Sequence, residues 1–163
     1  MGVAVEAGLT IRTLFSPDDD VQGEFLQWLA TTRDFFRGAI YGFHLPQAKQ
    51  HLIALHQRGG DVALVIDHIE AHGQAEGPDV ADLREAGVPL LEGTSTRDRI
   101  MHHKFAIQDH RSVWAGSWNW SLTAQLESNY VDIIDNPDRA ALFLSKWQEI
   151  WDYMKAHDMK WNQ

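Results

Sequence analysis

Residues 101–121 read MHHKFAIQDHRSVWAGSWNWS. The side chains in this stretch that could do chemistry include the adjacent His102 and His103, then Lys104, Asp109, Ser117 and Asn119. An imidazole titrates near neutral pH, so it can act as nucleophile or as general acid and base. A lysine ammonium brings a positive charge and three donors, and Ser and Asn add neutral donors. Together these groups suit a phosphate: a nucleophile for phosphorus and donors for its oxygens.

RIMHHKFAIQ and VWAGSWNW both have strand character, and the polar DHRS lies between them. With His110-Arg111 as a two-residue hairpin loop, His102 falls opposite Asn119, Lys104 opposite Ser117, and Ala106 opposite Ala115. Alternation then places these residues on one polar face. Met101, His103, Phe105 and Ile107 share the other face with Trp114, Gly116, Trp118 and Trp120. In this register His103 packs among tryptophans, and Gly116 leaves room for the Phe105 ring. His110-Arg111 is not the Asn-Gly or Asp-Gly pair that best marks such turns. A one-residue slip would send the two halves of the polar cluster to opposite faces. Asp109 lies five residues beyond Lys104, roughly 16 Å at about 3.3 Å per residue. That is too far to share a phosphate, so Asp109 is expected to be structural.

The surrounding elements alternate between strands and helices, which predicts an α/β layer architecture. GLTIRTLF (8–15) reads as a strand, and Ser16-Pro17 as the cap and first position of a helix carrying Val21, Phe25, Trp28 and Leu29. FFRGAIYGF (35–43) reads as one strand. Pro46 opens a helix that ends near Gly59-Gly60. DVALVID (61–67) is nearly continuous in apolar residues, as a strand covered on both faces is. A helix near 79–86, a short strand at 88–91 and a strand NYVDIID (129–135) follow. Asn136-Pro137 caps a long helix with Phe143, Leu144, Trp147, Ile150, Trp151 and Met154 on its buried face.

The 163 residues are expected to form a single domain, 1–163, with a core of about 8–156. Cysteine is absent, which excludes disulfides and thiolate metal sites. No apolar run is long enough to span a bilayer and MGVAVEAGLT has no signal-peptide pattern, so a cytoplasmic location is favoured. The formal net charge is −9. A polyanion is repelled by that global field, so nucleic acid needs a local basic patch.

The motif resembles that of the phospholipase D superfamily. His102-x-Lys104, four residues, Asp109, six residues, then Gly116-Ser117-x-Asn119 matches the whole HKD pattern. In size and order the chain looks most like the small single-motif bacterial nucleases of that superfamily, and it is also similar to the mitochondrial cardiolipin hydrolase branch. The resemblance implies an α/β/α sandwich with a mixed central β-sheet flanked by helices. It implies metal-independent phosphodiester transfer with no cofactor, in which His102 becomes a phosphohistidine. Lys104 and Asn119, helped by Ser117, would stabilise the equatorial oxygens. Most of the family carries two motifs per chain. One motif implies a homodimer whose two copies of His102 complete the site. The single-motif nucleases also place a glutamate after the motif to orient the histidine. At the same distance this sequence has Tyr130, with Glu127 and Asp132 as the nearby carboxylates able to take that part.

An endonuclease is therefore the leading expectation. A lipid phosphodiesterase is the second, and a catalytically silent dimeric nucleic-acid-binding module the third. His44, His68, Arg97 and Arg99 are candidates for the substrate entrance, the two arginines as a local basic patch. His68 and His72 stand four apart, as in helical zinc sites, but they follow a strand and no helix is established there, so no metal is expected.

Overall fold

The computed structural model describes residues 2–6 and 8–157. An antiparallel pair, β1 (Gly2–Glu6) and β2 (Leu9–Ser16), leads into helix α1 (Val21–Ala30). Next come β3 (Phe35–Ile40), the short β4 (Phe43–His44), α2 (Pro46–Gln57), β5 (Asp61–Asp67), α3 (His68–Ala71), α4 (Gly77–Glu85) and β6 (Leu90–Gly93). The motif then occupies β7 (Lys104–Gln108), β8 (Ser112–Gly116) and β9 (Trp120–Ser121). A 3₁₀ turn (Thr123–Leu126), β10 (Asn129–Asp135) and the long α5 (Pro137–Ala156) close the chain.

Eight strands make one sheet in the order β1-β2-β10-β8-β7-β3-β5-β6. It is mixed: β3, β5 and β6 run parallel, and the other neighbours are antiparallel. Helices cover both faces, giving an α/β/α sandwich. One core lies between the sheet and α1, α2 and α4, and contains Phe25, Leu52, Ile66, Leu83 and Trp114. The other lies under α5 and contains Ala39, Val65, Phe105, Ile107 and Trp147. The alternation along β5 explains both, since Leu64 and Ile66 fill the first core while Ala63 and Val65 fill the second. Among the described residues no helix is long and apolar enough to cross a membrane.

Several boundaries differ from the sequence reading. Helix α1 is capped by Asp20, whose carboxylate accepts from Gly23 N at 2.9 Å, and not by Ser16. Ser16 stays in β2, where its hydroxyl donates to Glu127 O at 2.7 Å. The expected 35–43 strand breaks at Tyr41-Gly42, because Phe43 and His44 leave the main sheet to pair with Trp120 and Ser121. The short strand after α4 is Leu90–Gly93, two residues later than the expected 88–91 at both ends. The segment after β5 does form a helix, with Asp67 capping the backbone N–H groups of Ile69 and Glu70.

The motif hairpin also has a different register. Phe105 pairs with Ala115, Ala106 with Trp114 and Gln108 with Ser112. The turn is centred on Asp109 and His110, with φ of 49° and 55°, and Arg111 N donates to Gln108 O at 3.1 Å. Two successive positive φ values suit a hairpin turn of the primed type, and Asp tolerates that region better than most residues. Sliding the pairing by one residue moves the tryptophans to the opposite face. Trp114, Trp118 and Trp120 therefore pack on Phe25 of α1, at ring separations of 4.9, 5.5 and 5.0 Å.

Candidate active site

The slipped register changes the surroundings of both histidines. His103 does not sit among the tryptophans. Its ring is exposed on the α5 side, 5.4 Å from Phe105, and its carbonyl accepts from Tyr41 N at 2.9 Å. Gly116 does not make room for Phe105 either. A side chain there would meet Tyr130 O at 2.2 Å and Val131 Cα at 2.8 Å, so Gly116 permits the close approach of β8 to β10.

The two halves of the motif are instead linked through Tyr41-Gly42, by a route that the ladder alone does not supply. The chain leaves β8 at Gly116 and crosses over to place β9 beside β4. That crossing carries Asn119 onto Gly42, whose N–H donates to Asn119 Oδ1 at 3.3 Å. The residue before Gly42 is Tyr41, and its ring lies 4.7 Å from the His102 ring and 4.9 Å from Lys104 Nζ. Tyr41-Gly42 is thus the bridge between the His102-x-Lys104 half and the Asn119 half. The break in the expected 35–43 strand is what creates this bridge.

Lys104 is 7% exposed. Its ammonium donates to the His102 carbonyl at 3.1 Å and sits over the Tyr41 ring. Among the described residues it has no carboxylate partner within ion-pair distance. Burial pushes its pKa down to about 8, against the opposing charges of Glu70 and Asp67. The His102 imidazole is exposed at the mouth of this corner. Its pKa is lowered, first by desolvation and then by the Lys104 charge. At neutral pH His102 is therefore mainly the uncharged imidazole that can attack phosphorus.

Two acidic residues of the β5–α3 junction complete the corner. Asp67 is 1% exposed, and its second carboxylate oxygen accepts from Met101 N at 2.7 Å. It fixes the backbone immediately before His102. Burial first, and then the nearby Glu70 carboxylate, raise the pKa of Tyr41 to about 12. Tyr41, Asp67 and Glu70 do not stand out in the sequence. The available signals were a glycine interrupting the 35–43 run and an aspartate ending the apolar run of β5.

Other candidates lie elsewhere. Asp109, at the far end of β7, accepts from the backbone N–H groups of Arg33, Asp34 and Phe35 at 3.0–3.2 Å, which docks the hairpin tip on the loop before β3. The Ser117 hydroxyl donates to Asn129 Oδ1 at 3.0 Å and accepts from Tyr130 N at 3.1 Å, so it ties the crossing segment to β10. The Asp132 carboxylate accepts from the Thr13 hydroxyl at 2.5 Å, and Glu127 is exposed just after the 3₁₀ turn. The carboxylates whose charge reaches His102 are Asp67 and Glu70, not Glu127 or Asp132. His44 is bound to Asp79 at 2.9 Å, beside Lys49. Arg97 and Arg99 are exposed in the β6–β7 loop, where their N–H groups donate to Ser95 Oγ. His68 lies in α3.

A cavity of about 350 Å³ adjoins the corner, lined by Met101, His102, His103, Lys146 and Tyr153 among others. The larger cleft, about 1070 Å³, lies at the hairpin-tip end and includes Asp109 but no other motif residue. The chemistry of the side chains, rather than cavity size, locates the site. A neutral imidazole, a buried ammonium and a carboxamide around one corner can hold and attack a tetrahedral anion.

Residues 25–151 match the family model described as cardiolipin synthase, PLD-like domain. The chain is 33% identical over 132 residues to the mitochondrial cardiolipin hydrolase of Chlamydomonas reinhardtii, covering 80% of this chain and 57% of that protein. It is 29% identical over 151 residues to the mitochondrial cardiolipin hydrolase of Danio rerio, covering 92% and 62%. The chain thus spans about three fifths of the length of these relatives. Among solved structures it superimposes on Nuc from Salmonella typhimurium, a phospholipase D family member, with a TM-score of 0.81 and 27% identity over 88% of this chain and 95% of that one. It superimposes on NucT from Helicobacter pylori with a TM-score of 0.79 at 19% identity, a likeness of fold.

Proposed function

The chain belongs to the phospholipase D superfamily, and from that premise we propose that it is a metal-independent phosphodiesterase, an endonuclease, whose site is shared by two copies of the chain. The observation that carries the reading is Lys104: a buried cation that, among the described residues, has no carboxylate within ion-pair distance, beside the imidazole of His102. Burying a lysine ammonium is costly unless an anion completes it. A phosphodiester supplies that anion and puts its phosphorus within reach of His102.

In the proposed reaction a ring nitrogen of His102 attacks phosphorus and the bond to the leaving oxygen breaks. The leaving oxygen takes a proton from the partner's His102, which enters this step as the imidazolium while the attacking copy is neutral. That imidazole then removes a proton from water, and the resulting hydroxide cleaves the phosphorus–nitrogen bond. The products are an alcohol, a phosphomonoester and free His102. Lys104 and Asn119 hold the equatorial oxygens through the displacement, the usual electrostatic contribution of such groups. The single motif per chain leaves the second histidine to the second copy, which is the basis for the dimer.

The nuclease reading is preferred because the fold superimposes on Nuc with a TM-score of 0.81 at 27% identity. A lipid phosphodiesterase is the second reading. It is favoured by the names of those relatives and by the exposed apolar side chains Leu122 and Leu126, which follow the motif directly. The test is incubation of wild type, His102→Ala and His103→Ala with labelled single- and double-stranded nucleic acid and with phospholipid vesicles, in EDTA at 25 °C. The expected result is cleavage of nucleic acid by wild type and His103→Ala and none by His102→Ala. Cleavage of vesicle lipid alone selects the second reading. An unimpaired His102→Ala protein would overturn both.

A further inference from the structure

Away from the phosphate corner, the face of α3 directed at β6 presents a different set of groups. His68 opens α3 and His72, four residues on, caps its end, which brings both over Glu92 on β6. Glu92 is held there because β6 pairs in parallel with β5, with Ile66 opposite Glu92. His68 Nδ1 lies 3.4 Å from Glu92 Oε2, and His72 Nε2 lies 2.7 Å from the same oxygen. One ligand atom from each residue falls within 4.8 Å of the other two, and the two imidazole centroids are 4.6 Å apart.

We propose that His68, His72 and Glu92 form a zinc-binding site, distinct from the phosphodiester corner. Two histidines and a glutamate are a known tetrahedral zinc set, with ligand bonds of about 2.0–2.2 Å. Neighbouring ligands on such a tetrahedron are roughly 3.3–3.5 Å apart. The His68–Glu92 separation already meets that spacing. The His72–Glu92 hydrogen bond must open by about 0.6–0.8 Å to reach it. His72 can make that move, since its side chain is 55% exposed while those of His68 and Glu92 are 11% and 7% exposed. The fourth position then faces solvent on the His72 side. The other Glu92 oxygen is paired with Arg84, an outer partner that orients the carboxylate and leaves Oε2 for the ion. Imidazole ligands favour zinc over magnesium or calcium, which prefer all-oxygen sites.

The ion would staple α3 to β6. Asp67 at the head of α3 holds Met101 N, so the staple would brace the backbone just before His102. It contributes no group to phosphoryl transfer. The proposal does not rest on the phosphodiesterase reading, and catalysis is expected to persist in EDTA at 25 °C.

The test is zinc titration of the chelator-stripped full chain in competition with a chromophoric chelator, alongside thermal unfolding with and without zinc. The expected result is one zinc per chain and a higher unfolding midpoint with zinc, while magnesium has neither effect. His72→Ala is expected to weaken zinc at least about 100-fold and Arg84→Gln about 10-fold, the latter typical of an outer partner. His51→Ala, an exposed histidine on α2, should bind as wild type does. Circular dichroism confirms that each variant is folded, and Glu92→Gln replaces His72→Ala if the latter is not. The proposal is overturned if wild type takes up no stoichiometric zinc, or if folded His72→Ala and Glu92→Gln bind it as tightly as wild type.

Discussion

Lys104 Nζ donates to the backbone carbonyl of His102 at 3.1 Å, so the buried ammonium is aimed by the same residue whose imidazole stands at the site mouth. The bond uses one of three donors, and the Tyr41 ring covers another side of the charge. Such an arrangement is tuned for an anion and is unfavourable for the unliganded fold. Lys104→Met should therefore separate activity from stability. Phosphodiester cleavage is expected to fall at least about 100-fold, as for removal of a group that stabilises transition-state charge. The unfolding midpoint should stay level or rise, because an uncompensated buried charge is replaced by an apolar chain of similar length. A variant that is equally inactive but markedly less stable would show Lys104 to be a structural residue.

The same burial sets a pH dependence with opposite signs for rate and stability. Lys104 has a pKa of about 8 in the fold against 10.5 in the unfolded chain. For activity the cation is needed, so kcat/KM, which reports the free enzyme, should decline above about pH 8. For stability, the unfolded chain holds more protons between about pH 8 and 10.5, so this residue adds stability as pH rises through that window. Its full cost is felt below about pH 8. In Lys104→Arg the guanidinium stays charged, and the alkaline decline should disappear from the residual activity. A wild-type limb unchanged in that variant would assign it to another group.

A shared site has a mixing signature. If each site needs His102 from both chains, a mixed dimer with one His102→Ala chain is inactive. Equal amounts of wild-type and His102→Ala chains, co-expressed or refolded together, should form dimers in a ratio of about 1:2:1 and leave about one quarter of the activity of an all-wild-type sample at the same total chain concentration. Independent sites would leave one half. Sedimentation at the assay concentration gives the accompanying check, since an active monomer excludes the shared site.

Layer architecture and motif were legible because both rest on local pattern. The continuous apolar run of DVALVID, the Asn136 cap and the spacing from His102 to Asn119 all involve short stretches of chain. The register of the hairpin was not legible. It depends on which two residues of DHRS adopt positive φ, and Asp109 does so while its carboxylate is held by three backbone N–H groups some 75 residues away in sequence. The meeting of Asn119 with Gly42 was hidden for a related reason. Pairing of β4 with β9 joins segments far apart in the chain, and each strand is only two residues long, too short for any periodicity to mark it.

Gly116 provides the test of that register. In the expected pairing its missing side chain served the Phe105 ring, and an alanine would cost little once the ring shifted. In the observed pairing a Cβ meets backbone, Tyr130 O at 2.2 Å and Val131 Cα at 2.8 Å. Backbone cannot step aside as the end of a flexible side chain can, so β8 and β10 would have to separate. Gly116→Ala should cost about 1–3 kcal/mol of stability, the usual range for overpacking. For a domain of this size that lowers the unfolding midpoint by roughly 2–4 °C per kcal/mol. Combining it with Phe105→Leu should bring no rescue, because Phe105 lies under α5 and does not press on Gly116. Recovery of stability in the double variant would restore the expected register, and with it the placement of His103 among the tryptophans.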